Sequence, residues 1–271
     1  MQLITMFAKR IGVTNQGRGT TLLLLLAVMS AVRCASAEDL LAVCSTTQVA
    51  DFTREITGDR WRVHCVLGPG QDPHTYQTKP SDLRMVEQAS LCLENGWHLE
   101  GGDWMRKLAE TAGKPLVTCI EGVKPLVLSY DGAEVKDPHA WFAPKRAAKY
   151  VRNILSAVVR IDASHTAEYQ MRAELYLRQI QTLDAWVQKQ VNSIPSHRRI
   201  LITSHDAFGY FCQAYDFKSS APAGWSTGAE VGGDITPARR QQTVDSIRKT
   251  GVRSIFVETS VNPRGMARVA A

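Results

Sequence analysis

WRVHCVLGPGQDPHTY, residues 61–76, decides how the rest of the chain is read. Trp61–Leu67 is short, mostly apolar and rich in strand formers. The next nine residues are punctuated by Gly, Pro and Asp, and read as a loop. The same strand texture recurs in LLAVCS (40–45), ASLCLEN (89–95) and PLVTCI (115–120). Helical patterns fill the gaps at Gln48–Thr57, Pro80–Gln88 and His98–Ala112. Pro80 suits a helix start and Gly113 a helix end. Strands alternating with helices predict a parallel sheet covered on both faces. Ligand loops in such sheets follow the carboxyl ends of the strands. His74, in the loop after the second strand, therefore sits where a ligand is expected.

Downstream the texture changes. Ser164 to Asn192 contains no Gly or Pro, and Tyr169, Ala173, Tyr176, Ile180, Leu183, Val187 and Val191 recur at steps of three and four. That is one apolar stripe on a long helix. At about 1.5 Å per residue it would span roughly 40 Å, too long for another crossover in a small sheet. We read it as a spine, residues 164–192, between an α/β lobe at 38–163 and a partial second α/β lobe at 193–271. In that second lobe RRILITS (198–204) and RSIFVET (253–259) read as strands. HDAFGYFCQAY (205–215) opens a helix, and TPARRQQTVDSIRKTG (236–251) is another. The class is α/β, with parallel sheets flanked by helices.

The start of the chain belongs to no globule. Lys9, Arg10 and Arg18 precede the apolar run Leu22–Val32, and Ala35-Ser36-Ala37 supplies an A-x-A site. Residues 1–37 read as a signal peptide cut before Glu38, which predicts a periplasmic protein. The run is short of the about 20 apolar residues of a membrane span. Cys34 raises lipid attachment, but Arg33 sits where such motifs want a small residue, so that reading is disfavoured. The segment holds four basic residues and no acidic one, so its removal lowers the formal charge from +6 to +2. No basic cluster with interleaved aromatics remains, and nucleic acid is not an expected partner. Cys44, Cys65, Cys92, Cys119 and Cys212 stay behind, an odd number without a CxxC. They read as small core residues rather than a disulfide framework.

Three of the seven histidines share a setting. His74, His139 and His205 each have an acidic neighbour (Asp72, Asp137, Asp206) and a following aromatic (Tyr76, Trp141, Phe208). Neutral imidazole suits Zn²⁺ and other borderline divalent ions. Ligating imidazoles also need an acceptor to fix the tautomer, which the carboxylates could provide. Proline in Asp-Pro-His lowers the cost of ordering the loop, and the aromatics could exclude water. A single loop histidine is ordinarily a surface or packing residue. Three in matching settings point to a site that a carboxylate or water would complete. His165 and His197 look solvated, His64 lies inside a strand, and His98 stays ambiguous.

An ordered set of short motifs runs through the chain: GQDPHTY (70–76), NGWHLE (95–100), DPHAW (137–141), LDAW (183–186), SHDAFGYF (204–211), GWSTGAE (224–230) and IFVETSVNP (255–263). Together they resemble the periplasmic solute-binding proteins of zinc and manganese ABC transporters. The resemblance implies two α/β lobes on a rigid helix, with one metal ion in the cleft between them. It implies His74 and His139 as ligands from the first lobe and His205 from the second. The family's fourth ligand is usually an aspartate in a later loop, and the chain ends before it, so the sequence reads as C-terminally shortened. Glu258 matches a recurrent glutamate near the cleft, and it or water would substitute. Zinc is the preferred cargo on the strength of a third histidine, with manganese or iron as alternatives. The implied partner is a membrane ABC permease, and a monomer is expected. Two other classes compete with this reading. A zinc-dependent hydrolase would need a base, for which Asp206 or Glu258 are the candidates, but no hydrolytic motif accompanies them. A metal-independent surface adhesin has no supporting motif.

Overall fold

The apolar runs pair into one sheet. The computed structural model describes residues 39–130, 133–203, 206–219, 237–252 and 254–258. Strands β1 (Leu40–Cys44), β2 (Trp61–Cys65), β3 (Leu91–Glu94) and β4 (Leu116–Thr118) are parallel, in the order β2-β1-β3-β4. Helices α1 (Thr47–Thr57), α2 (Pro80–Glu87), α3 (Trp104–Thr111), α4 (Pro144–Ile161) and α5 (Thr166–Asn192) cover it. The period-two geometry of β1 sends Leu41 and Val43 to one layer and Ala42 and Cys44 to the other, all buried. On one face Phe52, Ile56, Tyr150, Ile154 and Tyr169 from α1, α4 and α5 form the core. On the other, Val86, Trp104, Met105 and Leu108 from α2 and α3 do so. The chain passes from β1 outward to β2, then returns across β1 to β3. That reversal opens a crevice at the carboxyl ends of the strands.

Several boundaries depart from the sequence reading. The helix expected over His98–Ala112 starts only at Trp104, after a short 3-10 turn at Gly101–Asp103. Gly96, Trp97 and His98 have φ of 99°, 51° and 61°, which no right-handed helix accepts. Helix α4 and the antiparallel hairpin of β5 (Val127–Tyr130) and β6 (Ala133–Lys136) add to the elements expected from the sequence. The spine helix is present, preceded by a 3-10 turn at Ala163–His165. Along its stripe Tyr169, Ala173, Ile180 and Val191 are buried, but Leu183 is 51% exposed. A seven-residue repeat drifts about 20° per heptad on a straight helix. Tyr169, Tyr176 and Leu183 follow that repeat, and by Leu183 it has turned away from the α1 and α4 layer.

Beyond the spine, β7 (Ile200–Leu201) pairs in parallel with β8 (Lys218–Ser219), and α6 (Gly209–Tyr215) lies between them in sequence. Helix α7 (Pro237–Thr250) matches its expectation. The two expected strands are much shorter than read. Beyond β7, Thr203 makes a single parallel bridge to Phe256. Cys44, Cys65, Cys92, Cys119 and Cys212 are free thiols. Burial pushes Cys44 up to about 12, which keeps it an inert core group.

The turn joining α4 to α5 is held by polar groups. Asp162 accepts bonds from Ser164 Oγ (2.6 Å), His165 Nδ1 (2.7 Å) and the Tyr169 hydroxyl (2.5 Å). Burial pushes the Asp162 carboxyl up, but these bonds outweigh it and hold the group below its ordinary value. The Tyr169 oxygen in turn accepts the Trp61 indole N–H at 3.0 Å. Tyr169→Phe should therefore cost about 1–3 kcal/mol in a denaturant melt, because a buried indole donor loses its acceptor. Metal binding should be unchanged.

Candidate metal centre

The two Asp-Pro-His segments fold alike. Asp72 Oδ1 accepts the backbone N–H of His74 at 2.9 Å, and Asp137 Oδ1 accepts that of His139 at 2.9 Å. Each is an aspartate side chain capping its own turn two residues on. The turns project both rings toward one point. His74 Nε2 and His139 Nε2 lie 3.3 Å apart, with the rings tilted by 59°. His139 Nδ1 is 2.7 Å from Asp137 Oδ1. That contact assigns the proton to Nδ1 and leaves the Nε2 lone pair facing His74. His139 and Asp137 are buried, and His74 is half-buried.

Each loop is held from behind. The Pro73 carbonyl accepts from Gly101 N–H (3.2 Å) and from the Trp104 indole N–H (3.0 Å). The Pro138 carbonyl accepts from Asn95 Nδ2 at 3.0 Å, and the Tyr150 hydroxyl donates to Asn95 Oδ1 at 2.9 Å. Asn95 is fixed in turn by Glu100, whose buried carboxylate accepts from Asn95 N–H (2.8 Å), Gly96 N–H (3.1 Å) and Ser45 Oγ (2.6 Å). Burial pushes the Glu100 carboxyl up, and these three donors pull part of that back. Burial likewise raises the Tyr150 phenol well above its ordinary value, so it donates as a neutral group. The segment NGWHLE is thus the bracket between the carboxyl end of β3 and the His139 loop. Ser45 and Tyr150, its partners, carried no signal in the sequence that pointed to this role.

The aromatics expected around the site divide. Trp141 lies edge-on to His139 at 5.3 Å. Tyr76 packs on Trp104 at 5.2 Å, and Phe208 packs on Phe142 at 4.3 Å, which in turn packs on Trp141 at 5.1 Å. His205 lies outside the described residues. Thr203, two positions before it, bridges Phe256 in parallel, and Glu258 lies two positions beyond Phe256. Asp206 and Glu258 are half-buried. Among the described residues, His74 and His139 converge with Asp72 and Asp137 behind them, and no group of three potential ligands forms.

Known proteins are similar to this chain in sequence and in fold. A family model described as zinc-uptake complex component A, periplasmic, matches residues 42–271. The manganese ABC transporter substrate-binding lipoprotein PsaA of Streptococcus anginosus is 34% identical over 266 residues, covering 93% of this chain and 85% of that protein. The metal ABC transporter substrate-binding lipoprotein ScbA of Streptococcus cristatus is 33% identical, over 92% and 84%. The structure of the periplasmic zinc binding protein TroA from Treponema pallidum aligns with a TM-score of 0.77 at 28% identity, over 85% of this chain and 82% of that one. The Mn-bound periplasmic metal binding protein from Candidatus Liberibacter asiaticus gives 0.73 at 25% identity, over 86% and 84%. Relatives named lipoproteins lend no support to the expectation, drawn from Arg33, that lipid attachment at Cys34 is disfavoured.

Proposed function

The chain belongs to the zinc-uptake component A family of ABC-transporter solute-binding proteins, which are not enzymes, and from that premise we propose how it holds its cargo. One divalent transition-metal ion binds between His74, His139 and His205 and is handed to a membrane permease. The observation that carries this reading is the 3.3 Å separation of the two Nε2 atoms. Two imidazoles at about 2.0–2.1 Å from zinc, at a tetrahedral angle, stand about 3.3–3.4 Å apart. An ion therefore fits between the rings with little movement of either loop. His205 supplies the third nitrogen, and Glu258, Asp206 or water completes the set.

Zinc is the cargo we favour, with manganese its rival and iron a third. Nitrogen ligands bind Zn²⁺ more tightly than Fe²⁺ or Mn²⁺ at a given site. Residues 1–37 direct export, residues 38–163 and 193–271 form the two lobes, and residues 164–192 join them. The test is calorimetric titration of Zn²⁺ and Mn²⁺ into chelator-stripped protein, with His74→Ala alongside. One ion per chain, zinc tighter than manganese, and loss of binding in the variant are expected. A folded protein that takes up neither ion would overturn the reading.

A further inference from the structure

The helix that follows His205 in the chain is fastened to the loop that carries His139. Helix α6 opens at Gly209, and Tyr210 in its first turn is fully buried. The Tyr210 hydroxyl accepts the Leu126 N–H at 2.9 Å and donates to the Asp137 carbonyl at 2.9 Å. Leu126 and Asp137 flank the β5–β6 hairpin, and the Asp137 N–H also donates to the Leu126 carbonyl at 2.9 Å. One phenol oxygen thus closes the base of the hairpin at the residue whose carboxylate orients His139. The approach is close at Gly209 as well. A Cβ at Gly209 would stand 2.9 Å from Asp137 Oδ2 and 3.4 Å from Leu126 Cδ1. Arg146 covers the Tyr210 ring at 4.9 Å, while its guanidinium donates to the Lys124 carbonyl (2.8 Å) and to Gln213 Oε1 (3.1 Å). Packing alone would be served by phenylalanine. The hydroxyl is used twice, once on the Leu126 backbone before the hairpin and once on the Asp137 backbone in the His139 loop.

We propose that Tyr210 is a positioning residue for the metal centre: it latches the Asp137–His139 loop to α6, and its hydroxyl sets how long the ion is held. This rests on the reading of His139 as a ligand. Without the hydroxyl, the Asp137 backbone loses its tie to α6, and the carboxylate that orients the imidazole moves with it. Asp137 is bonded directly to His139, and altering such a partner of a metal ligand changes affinity by about 10–100-fold; Tyr210 acts through it.

The experiment compares the full chain with Tyr210→Phe and Tyr169→Phe, each loaded with Co²⁺ as a visible probe and with Zn²⁺ for release into excess chelator. Tyr210→Phe should change the cobalt absorption bands and speed zinc release several-fold, up to about tenfold. Tyr169→Phe, which also loses a buried hydroxyl, should lower the melting midpoint and move neither readout. A folded Tyr210→Phe protein with wild-type bands and release rate would overturn the latch. If Tyr210→Phe does not fold, Gly209→Ala presses on Asp137 with the hydroxyl intact. It should alter the same two readouts, and unchanged values there would equally overturn the proposal. A wild-type protein that binds none of Co²⁺, Zn²⁺ and Mn²⁺ would instead sink the metal-site reading, and the latch with it.

Discussion

Replacing His139 by alanine should abolish tight metal binding and also weaken the metal-free protein, whereas His74→Ala should do only the first. Both imidazoles point Nε2 at the same place, 3.3 Å apart, so either loss removes a ligand. Since altering a partner of a ligand already costs about 10–100-fold in affinity, removing the ligand should cost more than about 100-fold. The two residues differ in what else they hold. His139 is 1% exposed and its Nδ1 lies 2.7 Å from Asp137, itself 1% exposed. Truncation leaves a cavity and takes a donor from a buried carboxylate, together about 2–4 kcal/mol. The Asp137 bond to the residue-139 backbone N–H survives the substitution, which limits the loss. His74 is half-buried, and its loop is held through the Pro73 carbonyl and the Asp72 turn rather than through its ring. About 1 kcal/mol or less is expected there. Urea melts in chelator, beside zinc titrations, separate the effects. Equal destabilisation by both variants, or full affinity in His139→Ala, would contradict this account.

What the sequence could and could not disclose follows from the range of the interactions. Apolar runs with strand texture report burial on both faces of a sheet, and four of them became the parallel sheet within a few residues of their expected ends. The Asp-Pro-His turns were legible because the aspartate caps a backbone N–H only two residues away. Their convergence was not, because it joins residues 65 positions apart. The same holds for Tyr150 on Asn95, 55 positions away, and Tyr210 on Asp137, 73 positions away. No local pattern marks a tyrosine whose oxygen serves a distant loop. Helix α4 is a different case, since Ala147, Tyr150, Val151, Ile154 and Val158 are buried at helical spacing and that periodicity was there to be read. The left-handed run at Gly96–His98 lacked a signal beyond its single glycine. Trp97 and His98 adopt it because Asn95 and Gly96 are pinned to Glu100. For His205, the ligand reading rests on the sequence motif and on family membership.

Gly101 offers the sharpest test that loop placement, and not merely the presence of histidines, makes the site. A Cβ at residue 101 would stand 1.8 Å from the His74 carbonyl oxygen, 2.7 Å from its carbon and 3.2 Å from its Cα. All three are backbone atoms, so no change of rotamer relieves the clash. Gly101 N–H also donates to the Pro73 carbonyl, which ties the two segments at the point of contact. Gly101→Ala must push the His74 turn away or break that bond and the neighbouring Trp104 bond. Overpacking of this kind costs about 1–3 kcal/mol, and backbone against backbone belongs at the upper end. The displaced imidazole should lose at least about tenfold in zinc affinity, as for other groups that place a ligand. The adjacent Gly102 provides the comparison. Its φ of +66° strains any replacement, yet a Cβ there meets nothing within 4 Å. Gly102→Ala should cost about 1 kcal/mol of stability and leave zinc affinity as it was. Melts and titrations of the two variants together distinguish strain in the loop from movement of the ligand. If Gly101→Ala binds zinc like the wild type, the His74 turn has room that this packing denies it, and the site is held less tightly than the backbone contacts imply.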